Sequence, residues 1–239
     1  MGKIKPYINA ILLIVAIVLV FSLYAFGAVR HKNREIKDVT ITFTDYSSPL
    51  ISEENVNKLL IQNQDSIDYL TIEKLALQES EKRLDKNSMI RKAEVSMSID
   101  GEINAVIEQR VPIARIIGKK SGYLDEDNKW MPLSDEYAVR VPVIFGYESD
   151  FQNDVFELVS FIRKDKWLQK VIAAIELDKG NVKLKPRAMK HKINLGKIDK
   201  LEHKFINYKA FIAKAEKDKT LESISTVDLR FNNQVVVIK

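Results

Sequence analysis

The chain has 239 residues, 46% of them hydrophobic, and carries a formal charge of +5 with no cysteine. The missing cysteine excludes a disulfide framework and thiolate chemistry. Setting aside Lys3 and Lys5, which precede an apolar run, lowers the charge from +5 to +3, too balanced for nucleic acid to be the main partner.

From Pro6 to Val29 no residue is charged and nearly every position is Ile, Leu, Val, Ala or Phe. At ~1.5 Å per residue such a helix crosses the ~30 Å hydrocarbon core of a bilayer, and it exceeds the roughly 7–15 apolar residues of a cleaved signal. Tyr7 and Tyr24 sit near its ends, where aromatic rings favour the interface. An uncleaved membrane anchor is the reading. Its orientation stays open on charge alone, because Lys3 and Lys5 precede the run while Arg30, Lys32, Arg34 and Lys37 follow it.

Beyond the anchor, Val39, Ile41 and Phe43 alternate with Asp38, Thr40 and Thr42, the period of a half-buried strand. Ser52 can cap a helix whose Glu53 and Glu54 suit the positive end of its dipole, with Val56, Leu59 and Leu60 on one face. Thr71 opens a second helix with Ile72, Leu75, Ala76 and Leu84 at helical spacing. Val95, Met97 and Ile99, then Ile103, Ala105 and Ile107, flank an Asp100-Gly101 turn and predict a hairpin. The order β-α-α-β-β suits two helices over a three-stranded sheet, with Ile41, Val56, Leu59, Leu75, Val95 and Ile107 in one core.

From Pro112 the texture changes to short strands. Tyr123-Leu124 and Trp130-Met131 flank a polar turn in which Asn128 can turn left-handed, and a short strand follows Val141-Pro142. Two helices are expected, at about 151–165 and 200–217, with strands at 172–177, 181–185, 191–195, 224–231 and 234–238. The fold class is α+β.

Catalytic signatures are missing. His31, His191 and His203 lie far apart, and the sequence holds no Gly-x-Ser-x-Gly elbow, phosphate loop or dinucleotide fingerprint. Asp125, Asp127 and Glu136 imitate a calcium loop, but Trp130 stands where a glycine is needed. The lysines and arginines between Lys179 and Lys200 fit either an anion-binding patch or a solvated sheet face; the alternation of Val182 and Leu184 with Lys183 and Lys185 favours the latter.

Arg110-Val111-Pro112-Ile113-Ala114, Tyr123-Leu124-Asp125, Met131-Pro132-Leu133-Ser134 and Val141-Pro142-Val143-Ile144-Phe145-Gly146 recur in a telling order. With Ile193-Asn194-Leu195-Gly196 and Val227-Asp228-Leu229-Arg230-Phe231, this series resembles the bacterial cell-division family FtsQ/DivIB. One departure is the family's Asp-x-x-Gly turn, here Asp125 to Asn128.

The resemblance implies a cytoplasmic tail at 1–6, a transmembrane helix at 7–29, a polypeptide-transport-associated (POTRA) domain at 36–110 and a C-terminal β-domain with two helices at 111–239. It further implies an inner-membrane protein of the septum with its ectodomain in the periplasm, partnered by FtsB, FtsL and other divisome proteins. No enzyme activity, cofactor or metal is implied. The competing readings are an envelope sensor or transport module and a cell-wall hydrolase. For the partner site, the resemblance points to the terminal strand and its approach, with Arg230, Phe231, Asn233, Val235, Val237 and Lys239 as contact residues. The apolar run from Val235 to Ile238 suits an edge that something covers.

Overall fold

The computed structural model describes residues 5–32, 38–45, 47, 49–61, 77–98, 100–231 and 234–238. Helix α1 (Lys5–Lys32) contains the apolar stretch Ile11–Val29, with mean hydropathy 2.8 and every residue exposed. Such an exposed apolar length is stable only in an apolar surrounding.

The chain divides into two compact units, 1–46 with 51–108, and 47–50 with 109–239. In the first, β1 (Asp38–Phe43) is followed by α2 (Glu53–Ile61), α3 (Leu77–Asp85), β2 (Ile90–Met97) and β3 (Glu102–Gln109). The sheet order is β1-β3-β2, with β1 parallel to β3 from Asp38 opposite Glu102 to Phe43 opposite Ile107. This is the POTRA arrangement. Val56, Leu60, Leu84, Val95, Ile103 and Ile107 fill its core, while Ile41 and Leu59 lie half-buried at the margin. Leu60, at 0% exposure, is therefore the central leucine of α2, and the expected positions Thr71, Ile72, Leu75, Ala76 and Ile99 lie outside the described residues.

Helix α3 also finishes its neighbours. Arg83 donates to the carbonyls of Leu59 (3.1 Å) and Leu60 (3.0 Å), which α2 leaves open at its C-terminus. Glu81 accepts the Val95 amide (2.8 Å) and Asp85 the Ala93 amide (2.9 Å), so the outer rim of edge strand β2 is capped by carboxylates.

In the second unit the strands are β4 (Pro112–Ile117), β5 (Gly122–Asp125), β6 (Trp130–Met131), β7 (Val143–Phe145), β8 (Ile172–Asp178), β9 (Asn181–Pro186), β10 (Lys192–Gly196), β11 (Thr226–Asp228) and β12 (Val236–Ile238). Among the described residues they form one sheet in the order β12-β11-β10-β9-β8-β7-β4-β5-β6. The pairs β4–β7, β7–β8 and β10–β11 are parallel, the others antiparallel.

Helices α4 (Gln152–Lys164) and α6 (Leu201–Lys217) place Val155, Leu158, Phe205 and Tyr208 in the same core as Ile144, Ile175, Leu184 and Val227 of the sheet. Phe161 and Phe205 stack with ring centres 5.4 Å apart. The two expected helices are joined by a third, α5 (Lys166–Val171). Asp165 caps it, its carboxylate accepting the amides of Trp167 and Leu168 at 3.0 Å each. On β9, Val182 and Leu184 face the core while Lys183 and Lys185 face solvent, as a solvated sheet face requires. Asn128 takes the left-handed conformation (φ 58°) in the β5–β6 turn, doing what glycine does in the family pattern.

Candidate partner-binding edge

Strand β12 is an edge of the nine-stranded sheet. Which of its backbone groups are free follows from β11. Lys192 N donates to Ser225 O (3.0 Å) and Leu229 N to Asn194 O (2.9 Å), so within β11 it is Val227 that offers its backbone groups to β10. Thr226 and Asp228 then face β12, opposite Ile238 and Val236. Val236 and Ile238 consequently spend their backbone groups on the ladder, whereas those of Val237 point outward from the sheet. Ser225 secures the end of the pair, its N and Oγ both donating to Ile238 O (2.8 and 2.9 Å).

The side chains divide the other way. Val237 stands opposite Val227, on the core face, yet is 37% exposed because it overhangs the last row of the sheet. Val235 is half-buried against the same core. Ile238, on the opposite face, is 56% exposed, and Phe231, three residues past the end of β11, is 45% exposed. Apolar surface therefore lies on both sides of a bare rim.

Arg230 is held just before this edge. Its Nε donates to both carboxylate oxygens of Asp228 (3.0 Å each), its Nη2 to Oδ2 (2.6 Å) and its backbone N to Oδ1 (3.0 Å). Asn194 Nδ2 adds a bond to the same carboxylate (3.1 Å). Burial works to raise the Asp228 pKa, but the hydrogen bonds and charge of Arg230, with Asn194, outweigh it and leave the carboxyl below its ordinary value. Asp228 is thus a fixed anion that orients Arg230 while the guanidinium stays half-exposed. The turn of chain around this clasp ends β11 at Asp228, short of the expected 231, and β12 begins at Val236 rather than Gln234.

Of the residues expected at the site, Val237 lies on β12 with Val235 just before it, Arg230 is clasped by Asp228 and Phe231 follows it exposed, while Asn233 and Lys239 lie outside the described residues. Sequence reasoning missed Asn194 and Ser225. Asn194 carried a signal, lying in the same motif as Gly196; Ser225 carried none, since its role depends on strand pairing.

Elsewhere several buried or turn-forming polar groups serve the fold. His191 is buried with Nε2 2.9 Å from the Tyr208 hydroxyl, and exposed His203 lies 3.3 Å from Asn207 Nδ2. The Asp125 carboxylate is occupied by Arg110 (2.7 Å) and by the amides of Asp127 and Lys129 (3.0 and 2.7 Å). Among the described residues no cluster of three or more His, Cys, Asp or Glu could hold a metal ion.

Residues 111–237 match the family model described as FtsQ/DivIB, C-terminal related. No curated protein matches the chain. The match takes in more than half of the chain, including all but the last residue of β12, and it stands behind one apolar helix of spanning length. The chain is a single-pass membrane protein of bacterial cell division and belongs to the FtsQ/DivIB family.

Proposed function

We propose that the chain is a divisome scaffold without chemistry of its own, which binds FtsB and FtsL and helps recruit and regulate septal peptidoglycan synthesis. In this reading residues 1–6 are cytoplasmic, 7–29 span the inner membrane, and the POTRA domain (36–110) and β-domain (111–239) work in the periplasm at the septum. The observation that carries it is the outward-facing backbone of Val237 on an edge with apolar side chains on both faces. An extended strand of FtsB adds to β12, taking its main-chain hydrogen bonds from Val237 and its apolar contacts from Phe231, Val235 and Val237. Arg230, pre-oriented by Asp228, offers a charge-assisted bond to an acidic side chain of the incoming strand. Asn233 and Lys239 complete the contact set.

Proline tests the geometry by deleting one amide donor at a time. Val237→Pro removes an outward donor: FtsB capture should be lost while the unfolding midpoint of the full chain in micelles stays within a few degrees. Val236→Pro removes a ladder donor and should cost about 1 kcal/mol or more of stability. Retention of FtsB binding by folded Val237→Pro would place the partner elsewhere.

A further inference from the structure

A cleft lies on the helix-bearing side of the β-domain, lined by β4, α4, α5 and the segments before β7 and after β9. It is a cleft of about 410 Å³, within the size range of ligand pockets. Its floor is apolar and rigid: Ile113 comes from β4, Val159 and Ile162 from α4, and all three are buried. Its rim carries Arg140, Arg163, Lys170 and Arg187, and no carboxylate lines it.

Arg163 is neutralised by Glu126 (2.9 Å). Among the described residues Arg140, Lys170 and Arg187 have no ion-pair partner. Three unpaired cations around one concave apolar floor repel one another and raise the local potential, an arrangement an anion relieves. The basic strand face of β9 differs, because Lys183 stands opposite Glu176 on β8 and the hollow that Lys185 lines there includes that same carboxylate.

We infer that this cleft binds an acidic peptide segment of a partner protein, with an apolar side chain on the Ile113–Val159–Ile162 floor and a neighbouring carboxylate on the Arg140 and Arg187 rim. A peptide offers both groups at adjacent side-chain spacing, and the planar guanidinium fork matches a carboxylate. A bilayer surface fits less well: it is a plane that can reach the rim cations without filling the floor. The site shares no residue with the β12 edge, so its test is independent of the strand-addition reading.

The full chain is placed in nanodiscs of zwitterionic lipid and titrated against a fluorescein-labelled peptide of alternating leucine and glutamate, read by anisotropy at low salt. Binding should fall at least about tenfold in Arg140→Glu/Arg187→Glu and stay within about twofold of the parent in Lys183→Glu/Lys185→Glu, which carries the same charge change. The leucine–glutamine counterpart should not bind. Three results each overturn the inference: no binding to the parent chain, equal loss in the two double variants, and equal binding of the glutamine peptide. Binding to phosphatidylglycerol vesicles without peptide, lost in the same rim variant, would assign the cleft to lipid headgroups and overturn it too.

Discussion

A Cβ built on Gly196, at the end of β10, would stand 2.7 Å from Cγ of Arg230, so the stem of that arginine rests where only glycine leaves room. Gly196 also has φ +71°, which L side chains rarely adopt. Gly196→Ala should therefore cost about 1–2 kcal/mol for the backbone and also push Arg230 off Asp228. On the strand-addition reading, FtsB capture should then be lost even where the variant remains folded. Gly118→Ala, with nothing within 4 Å, should leave both midpoint and binding unchanged.

Adjacent leucines of α2 give a test of the POTRA core. Leu60 is fully buried, and its truncation to Ala should cost about 2–5 kcal/mol. Leu59 is half-buried, and the same change there should cost less, about 1–2 kcal/mol. Chemical unfolding followed by a probe in this unit checks the ranking, since a protein with two compact units need not unfold in one step.

Asp125 is 1% exposed and holds both Arg110 and the β5–β6 turn. Asp125→Ala should destabilise the β-domain by about 3–5 kcal/mol, because Arg110 loses its partner in a largely buried site. Asp125→Asn, which keeps an acceptor for the Asp127 and Lys129 amides, should lose less. Thermal melts of the two variants distinguish the ion pair from the turn.

Acid should loosen the β-domain through His191. Burial pushes its imidazole below the ordinary value of about 6.5, so around and below that value the unfolded chain binds more proton than the folded chain. Stability contributed by neutral His191 is present above that pH and falls as pH drops toward the folded value. Denaturant midpoints between about pH 7.5 and 5.5 should decline for the parent and flatten for His191→Gln, which keeps a partner for Tyr208.

Much of this architecture is written in local pattern. The alternation of Val182 and Leu184 with Lys183 and Lys185 shows its strand and its inward face, and the Asp100-Gly101 turn shows the β2–β3 hairpin. Long-range pairing is not so written. Nothing local says that β7 lies parallel between β4 and β8, or that β10 pairs with β11 across the whole of α6. Helix α5 is too short for an apolar period to appear, although Asp165 at its start was a readable cap. Lys204 resembles a solvent-facing lysine of α6. It is 8% exposed, with Nζ bonded to the carbonyls of Leu195 (3.1 Å) and Lys197 (2.8 Å) and to Asp199 (2.5 Å). At the β12 edge the apolar run was legible and its pairing parity was not, because parity is set by β10.

The two units treat their edges differently: Glu81 and Asp85 block the rim of β2, whereas the Val236–Ile238 rim carries no charge, proline or bulge. Such a rim is a template for an extended backbone, another copy of itself included. Membrane anchoring confines copies to two dimensions and raises their encounter rate, so chain made in excess of whatever fills the rim meets itself. Gene dosage thereby becomes a structural variable: surplus molecules should pair edge to edge through β12 and precipitate first where their partner is scarce.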